Sequence, residues 1–226
     1  MNNINNMNNI NNMNNMNNIN NINNMNNMNN INNINNMNKT KNEIPIYAKN
    51  FFNKVENYLN TKIYYFGSVQ RDDYFFGASD IDTCIFTKNE SATILKLQNL
   101  LNKPKYAFKK IVNYLPTSKK IVYGYVLFYK DEKHNFSTDI CIYDEKYKEY
   151  VLKDNLFKID IPFYISFLLL IVKILHYQLY LLSKPTYNYL KKRIMDILDD
   201  GIFMNIGTNS WKFLVFEMPQ VKKDKA

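Results

Sequence analysis

Two aspartates one residue apart, Asp80 and Asp82, lie in the run Ser79-Asp80-Ile81-Asp82-Thr83-Cys84-Ile85-Phe86, which otherwise reads as a buried strand. Side chains alternate along a strand, so both carboxylates share one face while Ile81, Thr83 and Ile85 take the other. Two anions on an apolar strand repel and are costly to desolvate, so one must take a proton or recruit a cation. A hard divalent ion, Mg2+ or Mn2+, meets that need, since it prefers oxygen ligands and keeps positions open for water and phosphate oxygens. A third carboxylate, Asp139, interrupts another apolar run, Phe136-Ser137-Thr138-Asp139-Ile140-Cys141-Ile142-Tyr143. Such a set suits two ions about 3.5 to 4 Å apart that stabilise the attacking and leaving oxygens of an in-line displacement. Asp80 and Asp82 would bridge both ions. Asp139 would bind the catalytic one and accept the proton of an incoming hydroxyl.

Upstream, the run Lys62 to Phe66 ends at Gly67-Ser68, with eleven residues between Ser68 and Asp80. Glycine permits close backbone approach, and the turn after it is expected to enter a helix N-terminus, where N–H groups bind phosphate. The Ser68 hydroxyl and nearby N–H groups would hold the β- and γ-phosphates of a nucleotide, and Gly77 would allow the turn into Ser79-Asp80.

The elements that position these residues follow from periodicity. Ile46, Phe51, Phe52, Val55 and Leu59 line one face of an opening helix, Ile44 to Asn60. Strands are predicted at 62–66 and 80–86, a helix at 91–102, and strands at 107–115, 120–129 and 136–143, with 131–135 as a hairpin turn. From Asp144 to Asp200 the pattern is helical, with breaks near Asp160 and at Ser183-Lys184-Pro185. The tail 202–217, with Trp211, Phe213 and Phe216, either returns as a strand or packs on the helices. The fold class is α+β.

Phe66-Gly67-Ser68, Ser79-Asp80-Ile81-Asp82 and Asp139, in that order, resemble the hydrophobic-Gly-Ser element, the paired-aspartate strand and the third aspartate of the DNA polymerase beta superfamily of nucleotidyltransferases. That superfamily includes poly(A) polymerases, terminal uridylyltransferases and small bacterial nucleotidyltransferases. The resemblance covers about Lys62 to Tyr143. It implies a mixed sheet flanked by helices, followed by a small helical subdomain, and two Mg2+ or Mn2+ ions with an NTP as substrate. Many members carry a glycine soon after Gly-Ser, where this chain has Val69-Gln70-Arg71-Asp72-Asp73, so the substrate class stays open. Asp72 and Asp73 read as loop or cap carboxylates. Helices after the third aspartate often complete the nucleotide pocket in the family, and the resemblance puts Lys173 at the triphosphate. The residues alone allow Lys173 to snorkel to the surface, and His176 to be a satisfied, half-buried histidine.

Residues 1–38 contain only Asn, Ile and Met in a period of three, which fits neither helix nor strand and supplies too little apolar surface to offset chain entropy. This tract is expected to be disordered. A short charged bridge, Lys39 to Glu43, leads to a catalytic domain at 39–145, and 146–226 forms the helical subdomain and tail. The net charge of +9 points to a polyanion. It is discounted because Arg71 and Arg193 are the only arginines, as expected where AT-rich codons supply lysine. Lys191, Lys192 and Arg193 read as a solvated helix end, with RNA contact as the alternative. Cys84 and Cys141 match no zinc spacing and read as buried apolar groups.

No basic-then-apolar leader opens the sequence, so an intracellular setting, cytoplasmic or nuclear, is expected. The apolar run Ile161 to Leu182 has the length of a bilayer span, but Lys173 near its middle and Pro162 disfavour insertion. The expected activity is transfer of a nucleoside monophosphate from an NTP to a hydroxyl, an RNA 3′ end first and a protein hydroxyl or a small molecule behind it, with release of pyrophosphate. The alternative is an inactive nucleotide-binding or membrane-associated interaction protein of the same fold.

Overall fold

The computed structural model describes residues 36–203 and 214–216. The Asn-rich tract up to residue 35 and Trp211 lie outside the described residues, and the packed unit begins at Met37, which is buried. The opening helix, α1, runs Ile46–Leu59 and buries Ala48, Phe52, Val55 and Leu59 at helical spacing. Pro45 precedes its first turn, and Asn60 in the left-handed region ends it.

Six strands form one sheet: β1 Ile63–Phe66, β2 Ile81–Thr87, β3 Phe108–Leu115, β4 Lys120–Asp131, β5 Phe136–Asp144 and β6 Leu214–Phe216, in spatial order β1-β2-β5-β4-β3-β6. β6 places part of the predicted tail as a strand on β3. Every pairing is antiparallel except β2 with β5. A parallel pair needs a long crossover, and here it is supplied by helix α2, Glu90–Leu101, and the β3–β4 hairpin. The Asn89 side chain caps α2 by accepting from the N–H of Ala92.

Both faces of the central strands are covered, which explains their near-continuous apolar sequence. On one face Ile81, Ile85, Ile140 and Ile142 join α1 and α2 residues in the main core. On the other, Asp82, Cys84 and Phe86 alternate with that set, as do Asp139, Cys141 and Tyr143 on β5. The Cys84 end of this second face is covered by helix α3, Lys148–Ile159, whose Asn155 amide lies 4.0 Å from the Cys84 sulfur. Both cysteines are free and buried.

Helix α4, Phe163–Tyr177, and helix α5, Lys184–Phe203, pack on each other. The fifteen residues of α4 span about 22 Å, short of the roughly 30 Å of a bilayer core. No single helix among the described residues is long and apolar enough to cross a membrane. Only α3 and α4 taken together reach that length and composition, and the break between them bends by 79°. Ile165, Leu169, Val172 and Lys173 form the buried side of α4, while Phe163, Tyr164 and Phe167 are exposed.

Candidate active site

The carboxylates are gathered by strand pairing. Asp82 on β2 lies opposite Asp139 on β5 in the parallel pair. Two threonines that face away from the carboxylates fix this register: the Thr138 hydroxyl donates to the Ile81 carbonyl at 2.5 Å and the Thr83 hydroxyl to the Asp139 carbonyl at 3.3 Å. Asp80 sits one residue before β2, exposed, with its carboxylate accepting from the Ser137 hydroxyl. Ser137 and Asp139 share one face of β5, so Asp80, Asp82, Ser137 and Asp139 form one polar patch.

Burial pushes the Asp82 carboxyl up to about 6; Asp80 adds to the rise, while the charges of Lys191, Arg71 and Lys173 oppose it. Burial also pushes Asp139 up to about 7, with repulsion from Asp82 and Asp80 adding to it and Lys191 opposing. Burial and repulsion among the carboxylates thus outweigh the nearby positive charges at both carboxyls. The donor set suits a hard divalent cation: oxygen ligands, negative charge in excess, and an exposed edge at Asp80. Among the described residues no group of three or more His, Cys, Asp or Glu side chains is placed as it stands to hold a metal ion. The Asp80 carboxylate is instead engaged by the Ser137 hydroxyl.

Gly67 is fitted to the same patch. Phe66 pairs with Asp82 across β1 and β2, so the chain turns directly beside that aspartate. Gly67 has φ of +71°, and a Cβ built on it would fall on the Asp82 carboxylate. Both the left-handed backbone and the close approach therefore require glycine. The segment after it differs from expectation. Gly67–Gln70 is a single 3-10 turn, not the start of an α-helix, and 71–80 is irregular. Tyr74-Phe75-Phe76 has no helical apolar spacing, and Gly77, with φ of +74°, breaks the chain before β2. The Ser68 hydroxyl and the N–H groups of this one turn therefore have no α-helix N-terminus behind them.

The ammonium of Lys173, expected toward a triphosphate, is 2% exposed and bound to Asp73: it donates to the backbone carbonyl at 2.6 Å and to the carboxylate at 2.9 Å. Arg71 approaches the same carboxylate with Nε at 2.7 Å and Nη2 at 3.1 Å. Burial opposes charge on Asp73, yet the Arg71 and Lys173 partners outweigh it and hold its carboxyl below the usual value. Burial lowers Lys173 to about 8 despite Asp73, which leaves it charged at neutral pH. Asp73, expected as a loop or cap carboxylate, is fully buried and ties the segment after Gly67-Ser68 to α4.

Two further groups reach the patch from the helical part. Lys191, exposed on α5, lies close enough for its charge to act on both Asp82 and Asp139. Phe75 stacks on Tyr177 at 5.6 Å, and Tyr187 stacks on His176 at 4.5 Å. The charge of Asp80 is felt at both tyrosines. His176 is half-buried and bonded to the Leu182 carbonyl. The positions of Tyr177 and Lys191 had no signal in sequence, because only the packing of α4 and α5 brings them to β2.

A mixed sheet flanked by helices, with a Gly-Ser turn beside carboxylates on its central strands, is an α+β architecture consistent with the nucleotidyltransferase fold. The chain belongs to the nucleotidyltransferase domain family of the polymerase beta-like superfamily: the family's model matches residues 48–203, more than half of the chain and including α3 to α5. No curated relative matches it. Membership points to nucleotidyl transfer in general.

Proposed function

We propose that this chain is a divalent-metal-dependent nucleotidyltransferase that moves a nucleoside monophosphate from an NTP to a hydroxyl and releases pyrophosphate. The observation that carries the reading is the placement of Asp82 opposite Asp139, beside a glycine whose backbone leaves no room for a side chain. Asp80, Asp82 and Asp139 would hold two Mg2+ or Mn2+ ions. When bound, the ions offset the carboxylate charge and stabilise the attacking and leaving oxygens of the displacement. Asp139 would accept the proton of the acceptor hydroxyl, its place opposite Asp82 setting it beside the reacting oxygens. Gly67 and Ser68 hold the β- and γ-phosphates, with Lys191 facing them from α5. Lys173 contributes through Asp73, by fixing the loop that carries Ser68. The Phe75–Tyr177 stack offers a face for the base.

The preferred acceptor is an RNA 3′ end, supported by the net charge of +9 and by the exposed Lys191, Lys192 and Arg193 on α5. A protein hydroxyl is the second choice. The test incubates the full chain with each labelled NTP, Mg2+ or Mn2+, and pooled RNA or protein acceptors, beside Asp80→Ala and Asp82→Ala variants. Label transfer that disappears in both variants supports the reading and names nucleotide and acceptor. A folded protein that transfers nothing under any of these conditions overturns it in favour of a nucleotide-binding protein without catalysis.

A further inference from the structure

Residues 37–42, which precede the family match and join the end of the Asn-rich tract, read in sequence as disordered, to the charged bridge that starts at Lys39, lie along the Gly-Ser turn. The Tyr65 N–H on β1 donates to the Met37 carbonyl at 2.8 Å, and Met37 is buried. The Gln70 amide then joins both sides: its Nε2 donates to the Lys39 carbonyl at 2.7 Å and its Oε1 accepts from the Lys41 N–H at 2.8 Å. The Asn42 side chain donates to the Val69 carbonyl at 3.0 Å and to the Arg71 carbonyl at 2.7 Å, and its backbone N–H donates to Val69 as well, at 3.2 Å.

These bonds are needed because the loop has little internal structure. One 3-10 turn satisfies few of its own backbone groups, and Gln70 is buried, where unpaired amide groups are costly. Met37 to Asn42 supplies the missing partners on one side, while Lys173 holds Asp73 on the other. The loop is therefore clamped between two segments distant in sequence, and only the Lys173 side falls within the family match.

We infer that residues 37–42 form a positioning strap of the nucleotide site, with Asn42 and Gln70 as its fastenings, which keeps the Gly67–Asp73 loop in the conformation that receives the NTP phosphates. The inference rests on the reading of Gly67-Ser68 as the phosphate-holding turn. None of the strap residues touches substrate. They act by ordering the loop before nucleotide arrives, and binding costs less when the receiving groups are already ordered.

The test substitutes Asn42→Asp in the full chain, which keeps the shape of the side chain and removes the amide donors. Gln70→Glu is the second variant, and Lys130→Ala serves as control because its ion pair with Glu132 is exposed and lies outside both strap and loop. Amide hydrogen exchange is followed without nucleotide, and the affinity for each of the four NTPs with Mg2+ is measured in turn. With two hydrogen bonds lost, exchange at residues 69–73 should rise about tenfold while β4 and β5 amides stay at wild-type rates. NTP affinity should fall by a similar factor, and Lys130→Ala should match wild type. Unchanged loop exchange in both Asn42→Asp and Gln70→Glu overturns the strap. So does faster loop exchange with undiminished NTP affinity. Wild type that binds no NTP overturns the phosphate-turn reading and with it the strap's role in binding, whereas the exchange data separately decide whether 37–42 orders the loop.

Discussion

Asp82 and Asp139 sit opposite each other across the parallel β2–β5 pair, on one face of the sheet, with the charge of Asp82 raising the cost of ionising Asp139. Two carboxylates so placed destabilise the metal-free fold whenever both are charged. Asp139→Asn removes that repulsion and is expected to stabilise the metal-free protein at pH 8 by about 1 kcal/mol. The same change should slow nucleotidyl transfer on the order of a thousandfold, roughly 4 kcal/mol of transition-state stabilisation. Thermal unfolding without divalent ions, paired with a transfer assay, checks both halves. A variant that loses stability and activity together would mean that Asp139 serves packing.

Gly67→Ala is a second probe of the same patch. The residue has φ of +71°, and its new Cβ would meet the Asp82 carboxylate. Backbone strain of about 1 to 3 kcal/mol adds to displacement of a proposed metal ligand. Transfer should fall by about a hundredfold or more, with the melting temperature lower than wild type. Activity near wild type would show that Asp82 is not needed where it stands.

Much of this arrangement was legible before the fold was known, for local reasons. The apolar spacing of Phe52, Val55 and Leu59 defines α1, and alternation along Asp80-Ile81-Asp82 assigns the carboxylates to one face. The adjacency of β2 to β5 is not local, since the β3–β4 hairpin intervenes, and the sequence suggested it only through the lone carboxylate of Asp139 in a second apolar run and the resemblance to a family. Asp73 was read as an ordinary loop acid because its partner Lys173 lies 100 residues away. The expected helix after Gly67-Ser68 is a single 3-10 turn. There the glycine signal was sound, but Tyr74-Phe75-Phe76 and Gly77 leave no helical face to bury.

Lys173 separates a phosphate contact from a positioning role. Its ammonium is 2% exposed and bound to Asp73, and Lys173→Met would leave that carboxylate with Arg71 alone. Breaking a buried ion pair in this way costs about 3 kcal/mol, which unfolding in urea reads directly. The substitution is expected to weaken NTP binding through a looser 67–73 loop, visible as faster amide exchange there without nucleotide. Weaker NTP binding with an unchanged loop and unchanged stability would instead assign Lys173 to the triphosphate.

The pH dependence of the same triad has a definite sign. The folded-state carboxyl of Asp73 titrates below the ordinary value of 3.8, because Arg71 and Lys173 outweigh the cost of burying it. The unfolded chain therefore takes up this proton at a higher pH than the folded one. The stability that Asp73 provides is complete above about pH 4 to 5, and it drains away as pH falls through 3.8 toward the folded value. Urea midpoints of the full chain should drop between pH 5 and pH 3, and part of that slope belongs to Asp73. In Lys173→Met the carboxyl keeps only Arg71, its folded value moves back toward 3.8, and the acid slope should become shallower even though the protein is less stable at pH 7. An acid slope identical in the two proteins would mean that Arg71 alone sets the charge of Asp73, and that Lys173 serves the loop through the backbone carbonyl it also binds.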